Sequence, residues 1–144
     1  MESTNCALIF HDYMVKTIVF KQNKELLQKF EKEKREILIA PKIKRNITCH
    51  ENNQYSIELS FELSEDVEIP SPIEIFIEIE GQFSVKEDNK SFIYDNATAI
   101  LFPYLRALIS TITANANLPS LIIPPINIVE IFKHQEIKDK NSRL

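Results

Sequence analysis

The sequence predicts an α+β chain in which four strands come first and one long helix follows. Apolar and polar residues alternate at 55–63 and again at Ile73–Val85, and from about residue 92 to 116 the apolar spacing becomes that of a helix. A cluster of prolines at 119, 124 and 125 then ends the helix and enforces extended chain.

The first strand is read at about residues 8–20. Its parity shifts between Phe10, Tyr13 and Ile18, a spacing that calls for bulges or a break. Residues 24–36 are rich in Lys and Glu and carry Leu26, Leu27 and Phe30 at helical spacing, so a short amphipathic helix is expected on a charged connection. Ile43, Ile47 and Cys49 mark a strand at 41–49. In 55–63, Tyr55, Ile57, Leu59, Phe61 and Leu63 share one face while Ser56, Glu58, Ser60 and Glu62 share the other, which gives one buried and one wet side. Ile73, Ile75, Ile77 and Ile79 repeat the pattern, and the parity runs on through Phe83 and Val85 past Gly81, where a bulge is expected. The linker 65–72, with two prolines, suits a loop between antiparallel neighbours.

Along the helix, Ile93, Ala97, Ile100, Leu101, Phe102, Tyr104, Leu105, Leu108, Ile109 and Ile112 fall within an arc of roughly 200°, about twice the stripe of a helix with one buried face. Two surfaces must cover such an arc. The sheet is one, and a second copy of the chain is the most economical other, so a homo-oligomer is expected. Pro103 predicts a kink in an otherwise single helix. Residues 118–126 are expected to be extended and 128–138 to form a short helix with Asn127 as N-cap, leaving 139–144 as a polar, frayed tail.

Length places all 144 residues in one domain with a sizeable core. Lys plus Arg number 17 against 21 for Asp plus Glu, a net charge of -4, which argues against nucleic acid as partner. Two cysteines, Cys6 and Cys49, make no disulfide framework, and the first residues lack the pattern of a signal peptide, so a cytoplasmic protein is expected. No uninterrupted apolar run reaches the roughly 18 residues of a membrane span, so no membrane insertion is expected. The one glycine, Gly81, excludes the phosphate-cradling loops of nucleotide-driven enzymes.

Little in the sequence points to catalysis. His11, His50 and His134 stand far apart with no metal-ligand spacing, and neither a metal nor a cofactor is expected. Adjacent Cys49 and His50 would point to opposite faces of a strand, so Cys49 reads as a small buried apolar residue. Glu58, Glu62, Glu74 and Glu78 share the polar face of their strands, where they form a candidate acidic docking face for a basic partner. The surplus of branched apolar residues at 118–132 exceeds what a proline-broken segment needs for its own packing. Exposed apolar surface rimmed by polar groups is what a protein that captures other chains requires.

The run Ile100-Leu101-Phe102-Pro103-Tyr104-Leu105-Arg106, then Ile109, then Leu118-Pro119-Ser120-Leu121-Ile122-Ile123-Pro124-Pro125-Ile126-Asn127, resembles the signature of the SecB family of export chaperones. Lys16-Thr17-Ile18-Val19-Phe20 resembles the family's first-strand stretch. The resemblance implies a four-stranded antiparallel sheet with a long kinked helix and a short C-terminal helix packed on one side. It implies a homotetramer, a dimer of dimers, assembled through the long helix and the sheet edge, for which Ile100, Leu101, Tyr104, Leu105, Leu108 and Ile112 are the interface candidates. It also implies an ATP-independent holdase whose unfolded polypeptide clients lie in apolar grooves; Ile43 and Ile47 would line the strand side, and Ile122, Ile128, Ile131 and Phe132 the helix side. Arg45 falls where an apolar groove residue is expected. Relatives that dock on the translocase motor SecA use acidic residues on the sheet face, including the first strand, where this chain has Thr17 and Lys21. Those departures suit a dedicated chaperone of an antitoxin in a toxin-antitoxin system at least as well as protein export. A scaffold or ligand-binding protein on the same fold is the third expectation.

Overall fold

A computed structural model of the chain describes residues 8–34, 41–63, 72–86, 90–117, 132 and 137–139. In chain order the elements are β1 (Leu8–Gln22), α1 (Lys24–Lys32), β2 (Lys42–Cys49), β3 (Gln54–Leu63), β4 (Ile73–Val85), α2 (Lys90–Asn115) and β5 (Ile137–Asp139). The strands form one sheet in the order β1-β4-β3-β2-β5, antiparallel throughout except that β5 runs parallel to β2. The expected four-stranded antiparallel sheet is there, extended by β5. Residues 137–139 are strand where a short helix was expected to reach 138, and residue 139, expected in the tail, pairs with Cys49. Phe132 is helical. The rest of 118–136 lies outside the described residues.

The strict alternation of β3 and β4 has a direct outcome. Tyr55, Ile57, Leu59, Phe61 and Leu63 pack beside Ile73, Ile75, Ile77, Ile79 and Phe83, all buried on the side that faces α2. Strand β1 presents its apolar residues to the same side by a different route, without burying them fully. Register shifts between Phe10 and Asp12 and between Val15 and Thr17 leave His11 and Lys16 as the extra residues of two bulges. Leu8, Phe10, Tyr13, Val15, Ile18 and Phe20 thereby all stand opposite core residues of β4 despite their uneven spacing.

The bulge expected at Gly81 is absent: Gly81 pairs in register with Ile57 and Tyr13. Its reason is space. A Cβ there would sit 2.9 Å from Cε1 of Phe83 and 3.0 Å from Cδ1 of Leu101, so the missing side chain is what lets α2 lie close on β4.

Helix α1 is shorter than expected, ending at Lys32, with Lys34 left-handed at φ 55°. Asn23 caps it by accepting the Leu26 amide at 3.1 Å, and the Asn23 amide donates to the Pro72 carbonyl, which ties the helix start to β4. The β2–β3 turn places Asn52 and Asn53 in the left-handed region, which asparagine tolerates best among residues with a side chain. Asn117, at φ 62°, closes α2 in the same way.

By length and composition α2 is apolar enough to cross a membrane, although polar residues interrupt its apolar ones throughout. Its Ile93, Ala97, Leu101, Leu105 and Ile109 are buried on the sheet, the position of a core helix. Pro103 lies inside it and supplies no N–H to the turn before. Buried Thr98 and Thr113 donate their hydroxyls to the Tyr94 and Ile109 carbonyls, so neither is left without a partner.

Candidate functional site

Three surfaces carry the residues singled out from the sequence. The first lies where β2 meets α2 and residue 132. Parity places Ile43, Arg45 and Ile47 on the helix side of β2. Ile47 is 1% exposed and Phe132 2% exposed, so both are core residues here and line no open groove. Ile43 is half-buried at the margin of the same cluster. Ile122, Ile128 and Ile131 lie outside the described residues.

Arg45 is the residue that reading by apolar pattern misjudges. It is buried, and its Nη1 donates to Asp95 Oδ1 and to Thr98 Oγ1, both at 3.0 Å, while Nη2 donates to the Phe132 carbonyl at 3.3 Å. The guanidinium carbon also stands 4.6 Å from the centre of the Phe132 ring. One side chain thus clasps β2, α2 and the C-terminal segment. The available signal was an Arg at a core-facing parity, which demands a buried acceptor set.

The second surface runs along β1 and the near side of α2. Tyr104 packs at a tilt against Phe10 and Tyr13, with ring centres 5.9 and 4.4 Å apart, and Gln22 reaches the Ala116 carbonyl at the far end. From Tyr104 onward α2 thus meets β1 at an early and a late point of the strand. Between those contacts Val15 and Ile18 face the helix side yet remain open, Ile18 at 48%, and Ile100 and Tyr104 are each 39% exposed. Leu108 and Ile112 are half-buried. Leu101 and Leu105, expected at an interface, are fully enclosed against the sheet of their own protomer and cannot meet a partner. The wide apolar arc is split: one half packs on the sheet, and the other forms a strip with the edge of β1.

The third surface is the outer face of the sheet. Glu58, Glu62, Glu74 and Glu78 share it, but each acid has a lysine near. Lys42 pairs across from Glu62, and Lys21 across from Glu74. The Lys16 ammonium hydrogen-bonds Glu58 and lies 3.7 Å from Glu80 and 4.0 Å from Glu78. Its own pKa is raised, chiefly by the bond to Glu58. Partial burial pushes Glu58 up, but hydrogen bonds from Lys16 and Asn46 and the lysine charge outweigh it and hold the carboxyl below its ordinary value. Glu78 is held above it by partial burial and the Glu58 charge. The face is charge-paired more than acidic, which lowers its attraction for a basic partner.

Cys49 does not behave as a plain apolar residue. It is half-buried, with Sγ 3.1 Å from the Tyr94 hydroxyl, while neighbouring His50 bonds Ser56 on the opposite side. A cavity of about 260 Å³ opens beside this pair, between the β2–β3 turn and the start of α2. Tyr55 lines it, and burial raises the pKa of its hydroxyl.

A family model described as preprotein translocase subunit SecB matches residues 3–139. The chain belongs to the SecB family. An uncharacterized protein of Methanocaldococcus jannaschii is 39% identical over 143 residues, 95% of this chain and 90% of that protein. Among solved structures, a SecB-like chaperone of Mycobacterium tuberculosis, in complex with a ChAD peptide from the HigA1 antitoxin, has the same fold. The match has a TM-score of 0.64 at 10% identity and covers 84% of this chain and 91% of that one. The SecB membership supports a chaperone role for the chain.

Proposed function

We propose that this SecB relative is an ATP-independent holdase that works in the cytoplasm as a homo-oligomer and keeps non-native polypeptide soluble. Family membership over residues 3–139 carries the reading. The half-open strip of Val15, Ile18, Ile100 and Tyr104 supports the assembly, because a second copy laid on it would bury the part of the arc that the sheet leaves uncovered. Catalysis has no part in the proposal; capture of apolar client segments needs burial and no covalent step.

Delivery to SecA is the weaker branch. Lys16 sits among three glutamates of the outer face, and Lys21 and Lys42 stand opposite two others, so a basic docking partner meets carboxylates already paired. This favours a dedicated client, such as an antitoxin, over export.

The deciding experiment is suppression of aggregation of a chemically unfolded model protein, without nucleotide, with mass recorded by light scattering on the same sample. Suppression by an oligomer is the expected result. An oligomer that protects no general client but protects an antitoxin tail selects the dedicated branch. A chain that protects neither is a scaffold.

A further inference from the structure

Cys49, Tyr55 and Tyr94 come together at one end of the sheet, where the β2–β3 turn meets the start of α2. Cys49 and Tyr55 pair across β2 and β3, and both side chains lie on the helix side. Tyr94 reaches them from α2. Its hydroxyl stands 3.1 Å from Cys49 Sγ, and its ring packs edge-on against the Tyr55 ring with centres 5.0 Å apart. All three line the cavity of about 260 Å³. Its rim is tied down: the His50 amide donates to the Gln54 carbonyl at 2.7 Å, and the Val85 amide to the Asn53 carbonyl at 2.9 Å.

The Tyr55 hydroxyl is what makes this cavity a site. The residue is only 2% exposed, and its Oη, shut off from solvent, has no hydrogen-bond partner among the described residues. A hydroxyl buried in that way destabilises the fold, and a phenylalanine would serve the core better. Burial chiefly, then the charge of neighbouring Cys49, raise its pKa, so it stays a hydroxyl that can donate and accept. The cavity that Tyr55 lines is the space from which a partner can reach it. Three features limit what that partner is. The volume falls just below the roughly 300–1,000 Å³ of drug-sized sites, so the occupant is small. Val85 and Ile93 give an apolar wall for a short alkyl stem, and the exposed carboxylate of Glu51 favours a neutral or cationic group over an anion. The half-buried thiol of Cys49 in the same wall supplies the chemistry that can fix such a group in place.

We propose that Cys49 is a modification site, where exchange with a low-molecular-weight disulfide leaves a small neutral or cationic thiol seated in the cavity with its polar end on the Tyr55 hydroxyl. The S–S bond of the small disulfide breaks and a new one joins Cys49 Sγ to one half. The other half leaves as a thiol with the proton that Cys49 gives up, so one disulfide replaces another and no further oxidant enters. The assignment stands apart from the chaperone reading.

The probe is cystamine, each half of which is a two-carbon amine, with oxidised glutathione as the larger, anionic control. The full chain, with Cys6→Ser so that Cys49 is its one thiol, is equilibrated with each disulfide and the matching thiol, folded and in urea. Mass spectrometry after acid quench reads the fraction modified. The cystamine half is expected on Cys49 with an equilibrium constant about tenfold higher in the folded chain than in urea, and the glutathione half with no such preference. By linkage, the chain carrying the small adduct then unfolds at higher urea than the reduced chain. Tyr55→Phe removes only the unpartnered hydroxyl. It should fold with an unchanged or higher midpoint and lose about three- to tenfold of the preference, the worth of one hydrogen bond. Val85→Phe fills the cavity from β4 and leaves the hydroxyl in place; it should lose the preference too, and it decides the matter if Tyr55→Phe does not fold. An adduct no more favoured in the folded chain than in urea, a preference that a folded variant leaves intact, or glutathione favoured as strongly as the small half would each overturn the assignment.

Discussion

Removing Arg45 tests whether one buried cation joins three parts of the fold. In Arg45→Ala, Asp95 loses a partner but is 29% exposed and regains water, a cost of about 1 kcal/mol. The Phe132 carbonyl loses its donor for about 1 kcal/mol, Thr98 loses one accepted bond for about 0.5 kcal/mol, and the Phe132 ring loses its cation for about 1 kcal/mol. Relief of guanidinium desolvation offsets part of this, so the expected net loss is about 2–3 kcal/mol. Urea unfolding at fixed protein concentration measures it, because any oligomer makes the midpoint depend on concentration. Asp95→Asn leaves the buried charge without its counter-ion and should cost a similar amount. The double mutant should fall short of the sum by about 1–2 kcal/mol, the coupling of a direct pair. A loss below about 0.5 kcal/mol for Arg45→Ala, or strict additivity, would refute the clasp.

Gly81→Ala gains about 0.5–1 kcal/mol of strand entropy but forces a methyl against Phe83 and Leu101, so a net loss of about 1 kcal/mol is expected in the same unfolding assay. Ile18→Asp puts a charge in the open strip, and light scattering should record dissociation with circular dichroism unchanged; an intact oligomer rejects that strip as the interface. Glu78 has a raised folded pKa, so its ionised form opposes folding above that value; Glu78→Gln should raise the thermal midpoint at neutral pH, with the gain fading as pH falls through it. Glu58 has the opposite sign. Its lowered folded pKa contributes stability above the unfolded value that is lost as pH falls through the folded one, so Glu58→Gln should lower the neutral midpoint and converge with wild type in acid.

Strands β3 and β4 were legible because period two holds within each, from Ile57 to Leu63 and from Ile73 to Phe83. The width of the apolar arc on α2 was legible too, but not which half meets the sheet. That choice depends on Gly81 admitting Leu101, a contact between residues 20 positions apart that no local period encodes. β5 has three residues and leaves no periodic trace. Arg45 and Lys16 were visible as charges, yet their roles rest on partners brought from other strands and from α2. Of the groove candidates, Ile47 and Phe132 carried the right chemistry for contact with a client and equally for a core. Apolarity alone does not separate the two.

The bulges of β1 give the strand a property unlike that of its neighbours. Fifteen residues run beside thirteen, and both surplus residues, His11 and Lys16, direct polar side chains to the outer face, toward Ser84 and Glu58. Loss of one residue from β3 would turn half of its core side chains outward. Loss of His11 from β1 would instead bring Phe10 and Asp12 into ordinary succession against Phe83 and Gln82, with every core contact kept. β1 is thus an edge strand in which chain length can drift by one residue without a change of fold. Relatives aligned on strict strand length would be misaligned there.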